Sequence, residues 1–340
     1  MTSEKPTDHP TVAHGKLGIL MMSLGTPDAP TYGAVRKYLA EFLSDPRVVE
    51  TPRLIWLPIL HGPILTFRSG KSAKAYAKIW NKERNESPLR TYARGQAEKL
   101  QAALGEEAEV EWAFRYGTPS TKDGLTRLRE KGCDRILLFA LYPQYSATTT
   151  ATAYEKAFEV MGEMRWMPSV RTVPAYFDTL EYPSALAASV KDSLSTLDWE
   201  PDKILASYHS IPKAYWDKGD PYPCHCHKTS RLLNDALDLP EGKLVTSFQS
   251  RVGPTEWVQP YTDQTVEQMA KDGVKKLAVL APAFSQDCLE TLEEINMELR
   301  ETFLENGGTH FHYIPCLNDT EQGMWVLESV ARNELKGWLG

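Results

Sequence analysis

The sequence predicts an α/β protein made of two similar halves that face each other across a cleft. Three observations carry this prediction. Short apolar runs of strand length alternate with amphipathic helical segments along the chain, the pattern of parallel sheets with helices on both faces. Parts of the second half can be set against the first: GILMMSLGTP (18–27) against KILASYHSIP (203–212), and GCDRILLFALYPQYS (132–146) against GVKKLAVLAPAFSQD (273–287). The length of 340 residues also exceeds that of one typical domain.

Residues 1–15 are polar and proline-bearing, lack the apolar core of a signal peptide, and are expected to be a disordered tail. KLGILMMSL (16–24) is a strand that stops at the turn-forming GTPD, and residues 32–43 repeat apolar side chains at helical spacing. LIWLPILHGPIL (54–65) is the most apolar stretch. Two prolines, a glycine and a histidine interrupt it, and it falls short of the roughly 20 residues of a membrane span. SGKSAKAYAKIW and SPLRTYARGQAEKLQAAL read as helices, AEVEWAFRYG (108–117) as a strand, and STKDGLTRLREKG as a helix closed by Gly132. DRILLFALYPQYS (134–146) is a strand running into a loop, followed by the helix TATAYEKAFEVMGEM, the strand SVRTVPAY and a helix over 180–197.

The second half repeats this plan. KILASY opens a buried strand that ends at His209, before Ser210, Ile211 and Pro212. KTSRLLNDALDL is helical, KLVTSFQSRVGP a strand and loop, and YTDQTVEQMAKDG a helix. KKLAVLAPAF (275–284), a long helix from Asp287, the strand THFHYIPCLN and a helix over 319–338 complete the chain.

Composition excludes several functions. A net charge of -7 does not suit nucleic acid, whose phosphates require a basic face. No glycine-rich nucleotide loop and no G-x-S-x-G elbow is present. Five cysteines, an odd number at scattered positions, do not form a disulfide framework, and a reducing cytoplasm is the simpler setting.

Ligands of open α/β sheets bind at the carboxyl ends of strands, which draws attention to His209. A histidine there can be a base, an acid or a metal ligand near neutral pH. In the helix DCLETLEEINMELRE, α-helical spacing puts Asp287, Glu290, Glu294 and Glu298 on one face. Such a stripe is either a solvated surface or, beginning at a strand end, a row of oxygen ligands for a divalent cation. PYPCHCH (221–227) invites a zinc reading, but its C-x-C spacing is too close for a structural site, and a helix-entry loop is the better expectation. Arg68, Lys71, Tyr76, Arg115 and Tyr116 form a basic and aromatic group, with Arg115 at a strand end where it suits carboxylate recognition. Trp257 is a candidate cleft wall.

Several segments together resemble the ferrochelatases, which insert ferrous iron into porphyrin: GILMMSLGTP, FRYGTP, LYPQYSATTT, SYHSIPKAYWDKGDPYPCHCHKT, FQSRVGPTEW and PAFSQDCLETLEEI, in the family's order from about residue 16 to 320. The resemblance implies two Rossmann-like, chelatase-type domains, each a four-stranded parallel sheet flanked by helices, with the active site in the cleft between them. It places a first domain at 16–180, a second at 181–318, and a C-terminal helix at 319–340 that packs back on the first. It implies His209 and Glu290 as catalytic and iron-binding residues, and Asp287 and Glu294 as a metal path. Leu24, Arg68, Tyr76, Arg115, Tyr116 and Trp257 are implied as porphyrin contacts. The substrates implied are ferrous iron and protoporphyrin IX; a coproporphyrin ferrochelatase, a cobalt chelatase of the same fold and a two-domain tetrapyrrole- or metal-binding module remain as alternatives.

The apolar segment 54–67 is expected to be a lip that grips the macrocycle and touches the inner face of a membrane from a cytoplasmic protein. The sequence also departs from some relatives. It ends in ARNELKGWLG, without the cysteine-bearing extension that holds an iron–sulfur cluster in animal enzymes, and Ala147 stands where those enzymes have a further cluster cysteine. No cluster and no nucleotide are therefore expected. WNKERNES, before Pro88, looks like an insertion.

Overall fold

The computed structural model describes residues 15–339, so the expected tail, Gly15 apart, lies outside the described residues. Four strands form the first sheet: β1 (Lys16–Gly25), β2 (Glu109–Tyr116), β3 (Cys133–Ala140) and β4 (Ser169–Thr172). Four more form the second: β5 (Lys203–His209), β6 (Leu244–Gln249), β7 (Lys276–Leu280) and β8 (His310–Tyr313). Every pairing is parallel, and the two orders, β2-β1-β3-β4 and β6-β5-β7-β8, are the same. The segments matched in the sequence thus fall on equivalent strands, β1 with β5 and β3 with β7. Ile19, Leu20, Met21 and Met22 are all buried, as helices on both faces of a parallel sheet require.

After β1 come α1 (Tyr32–Leu43), α2 (Arg53–Ile59) and α3 (Leu65–Ile79), with a π-turn at Leu60–Ile64 joining the last two; the lip segment 54–67 runs from α2 into the first turn of α3. The interruption read in the sequence appears as a kink between α2 and α3. Pro58 and Pro63 lie inside the helical path, and Gly62, with a non-helical ψ of -107°, absorbs the kink. The segment WNKERNES is a tight loop closed by an Asn81–Glu86 bridge and leads into α4 (Pro88–Leu104).

α5 (Thr121–Glu130) and α6 (Thr152–Gly162) cover one face of the first sheet, packing Leu125, Leu128, Ala157 and Met161 on Leu20, Met22, Ile136 and Leu138. α7 (Glu181–Ser195) leads into β5, and a short α8 (Lys213–Asp217) follows His209. The next helix, α9 (Tyr222–Leu237), begins before CHCH rather than after it, with Pro223 in its first turn. Proline suits a helix start, because the N–H it lacks there has no intrahelical partner, so the expected loop is the first turns of a helix. Cys226 is buried and Cys224 exposed.

α10 (Thr262–Lys271) and α11 (Arg300–Glu305) cover the second sheet through Val266, Ala270 and Phe303. α12 (Glu321–Glu334) packs against α4 and α7. Its Arg332 donates 3.0 Å bonds to Glu107 and to the Ala103 carbonyl. The facing sides of the two sheets share one continuous core that includes Ile19, Phe139, Ala206 and Leu280.

Candidate functional site

A cavity of about 1280 Å³ opens between the strand ends of both sheets and the lip. Its walls are largely apolar, with Leu24, Phe42, Trp56, Ile64, Tyr142 and Trp257 among them. Leu24 reaches it because β1 turns away at once. Gly25 has φ 125°, and a Cβ there would lie 1.8 Å from the Tyr116 carbonyl oxygen. At one end the halves touch: the Tyr215 hydroxyl accepts from Glu50 N–H at 3.3 Å and donates to the Val48 carbonyl at 3.1 Å. Lys218 pairs with Glu50 beside it.

His209 lines the cavity at the end of β5, half-buried and in register with Gln249 of β6. Its Nδ1 lies 2.6 Å from the Ser210 carbonyl. A carbonyl can only accept, so Nδ1 donates, and the neutral ring keeps Nε2 as its basic nitrogen. Gln249, beside this histidine on β6, reaches the acid helix. Its side-chain oxygen accepts from Ser207 at 2.5 Å, and its amide donates to the Glu290 carbonyl at 3.2 Å.

The acid helix is a π-helix over Glu290–Leu299 that continues into α11. Glu290, Glu294, Glu298 and Thr302 line the cavity at intervals of four. Bonding from i to i+5 widens each turn, a geometry found mostly where a helix serves a site. Burial, and next Glu290, push the Glu294 carboxyl up to about 7, against the pull of a hydrogen bond from Ser250. Glu293 points elsewhere and takes a 2.6 Å bond from Lys78 of α3, which ties the lip to the acid helix.

Of the residues singled out in the sequence, His209, Glu290, Glu294, Leu24, Arg68, Tyr76 and Trp257 meet in this cavity. Three do not. Asp287 is buried outside it, where its carboxylate accepts from Tyr313 (2.5 Å), Asn318 (2.6 Å) and Thr291 (2.9 Å). Spacing for an α-helix put it in the row, but it precedes the π-turns that set the row's direction. Arg115 and Tyr116 face Asp45 behind the wall: Arg115 donates to it at 2.5 Å and the Tyr116 hydroxyl at 2.8 Å. With 0% exposure, Tyr116 presents no surface to the cavity; it supports Phe42, whose ring lies 5.1 Å from its own.

Gln249, Ser250 and Lys78 escaped the sequence reading. The first two had a signal, since FQSRVGP follows the strand paired beside the histidine's. Lys78 had none, because its partner is 215 residues away. Among the described residues, three cations line the cavity, Arg68, Lys213 and Arg251, against seven carboxylates: Glu50, Asp217, Glu256, Asp263, Glu290, Glu294 and Glu298. No group of three or more His, Cys, Asp or Glu among the described residues gathers into a closed metal site.

Comparison with known proteins bears on the family and the fold. The family model for ferrochelatase matches residues 16–335. A ferrochelatase of Agrobacterium fabrum is 56% identical over 339 residues, covering 99% of this chain and 98% of that protein. One of Rhizobium meliloti is 55% identical over 335 residues, covering 98% and 99%. Among solved structures, SirB from Bacillus subtilis with Fe3+ shares the fold at TM-score 0.59 and 12% identity, covering 96% of this chain and 99% of that one. A sirohydrochlorin chelatase SirB in complex with cobalt, from Bacillus subtilis subspecies spizizenii, gives TM-score 0.57 at 12% identity, covering 95% and 97%.

Proposed function

This chain belongs to the ferrochelatase family of metal-chelatase lyases, and from that premise we propose that it inserts ferrous iron into protoporphyrin IX to give protohaem. The observation that carries the proposal is a histidine with a free basic nitrogen and a carboxylate row lining one apolar cavity.

Insertion must remove two pyrrole protons and expose nitrogens that a flat ring keeps in its plane. A macrocycle gripped between Trp56, Ile64 and Leu24 on one side and Trp257 on the other is held bent, so that a pyrrole N–H tips toward His209. Such distortion costs roughly 1–5 kcal/mol of binding energy. Nε2 of His209 accepts the two pyrrole protons in turn and releases each to solvent, and Glu290, its backbone carbonyl held by Gln249, keeps the iron beside it. Glu294 and Glu298 feed the cation inward along the π-helix. Arg68 lines the cavity and makes no hydrogen bond or ion pair among the described residues, which leaves its guanidinium available to a propionate.

Anaerobic insertion of ferrous iron into protoporphyrin IX, followed by absorbance, tests this reading. Wild type should turn over, and His209→Ala and Glu290→Gln should each lose at least ~100-fold in kcat. A His209→Ala enzyme that keeps most of its turnover would remove the histidine from the mechanism.

The lip also supports a peripheral membrane contact on the cytoplasmic side. Leu54 is 93% exposed and Phe67 78%, with Ile55 and Ile59 beside them. No helix among the described residues is long and apolar enough to cross a bilayer. Leu54→Ser/Phe67→Ser should weaken flotation with anionic vesicles about tenfold; equal flotation would count against the contact.

A further inference from the structure

The proposed site also contains a charge arrangement that iron insertion by itself does not require. Two of the three cavity cations are already matched. Lys213 Nζ lies 2.8 Å from both carboxylate oxygens of Asp217, one turn along α8. Arg251 donates to Asp263 at 2.9 Å, and its guanidinium lies 4.2 Å above the Tyr261 ring. Half-exposed ion pairs of this kind contribute little to stability. Their consequence is electrostatic, because a cation with a carboxylate at its side offers little net charge to a second anion. Arg68, on the lip helix of the first half, has no such partner among the described residues, whereas Lys213 and Arg251 both belong to the second half.

We propose that Asp217 and Asp263 make the cleft selective for a macrocycle with carboxylates on one edge only, by neutralising the cations that would receive carboxylates elsewhere. The proposal rests on the porphyrin reading of the same cavity and adds its specificity. A dicarboxylate ring sets its charged edge toward Arg68 and its apolar edges against the walls. A ring with four carboxylates brings the extra two against paired cations and the remaining wall acids, and that mismatch repels it.

Binding of metal-free protoporphyrin IX and coproporphyrin III, followed by quenching of tryptophan fluorescence, tests the proposal. Wild type should prefer the dicarboxylate, and Asp217→Asn/Asp263→Asn should narrow the preference about five- to tenfold, mainly by tighter coproporphyrin binding. The single variants should each give part of the change, which keeps the test readable if the double variant folds poorly. An unmoved ratio in variants that bind protoporphyrin normally would overturn the proposal, as would a wild type that prefers the tetracarboxylate. Metal insertion followed in the same samples separates the two readings. A shifted ratio without any insertion by wild type upholds the charge screen and sinks the chelatase function; insertion with a fixed ratio does the reverse.

Discussion

Glu294 is the cleft carboxyl whose charge the fold controls most directly. Its ordinary value of 4.5 is raised to about 7, first by burial and then by Glu290. Below that value it is neutral and attracts a cation weakly; above it the row gains a charge. The KM for the metal should therefore fall as pH rises from 6 to 8 in wild type and stay nearly flat in Glu294→Gln. A variant that keeps the full pH dependence would assign the titration to another group. Stability runs the opposite way. The folded protein holds a proton that the unfolded chain has released, so stability declines as pH rises from about 4.5 to about 7. Glu294→Gln should remove that decline in thermal melts.

At the scale of elements, Asp45 fixes the exit of α1, where the chain enters the cavity-lining segment 48–51. Burial raises its carboxyl, but hydrogen bonds from Thr152, the Arg47 N–H and Tyr116, with the Arg115 charge, leave it below its ordinary 3.8. Asp45→Ala strands the Arg115 guanidinium in a largely buried site and should cost about 3–5 kcal/mol in denaturant unfolding. Because the folded value is lowered, the stabilisation is present above pH 3.8 and is lost as pH falls through the folded value, so the two proteins should converge in acid. A loss below 1 kcal/mol at neutral pH would make the node incidental. Arg115 shows where elements were legible and where they were not. Its place at the end of β2 followed from reading AEVEWAFRYG as a strand, as the bounds of α1 followed from helical spacing of apolar residues. That it points behind the wall depends on Asp45, 70 residues away, and no local pattern encodes that pairing. The acid helix is similar: helical periodicity announced a helix and its acids, but Asp287 leaves the row for Tyr313 and Asn318, 26 and 31 residues away, and no local pattern encodes those partners.

For the molecule as a whole, the matched segments of the two halves made the duplication readable, yet the halves are not separate globules. One core joins both sheets, and the C-terminal segment closes it against α4 and α7. Val326, Leu327, Val330, Ala331 and Leu335 are all buried there. At roughly 1.5–3 kcal/mol for each large aliphatic side chain, their burial is worth on the order of 6–12 kcal/mol as an upper bound. A whole domain commonly has only about 5–15 kcal/mol of stability. The segment adds fixed contacts on the first half, where Arg171 donates 3.0 Å bonds to the Glu334 and Lys336 carbonyls and lies 4.2 Å from the Trp338 ring. A chain ending at residue 318 should therefore lose its cooperative thermal transition and much of its soluble yield, although no cavity residue is removed. Circular dichroism melts of the full and shortened chains decide the matter. A shortened protein that melts within a few degrees of the full chain and still binds porphyrin would mean that each sheet carries its own sufficient core.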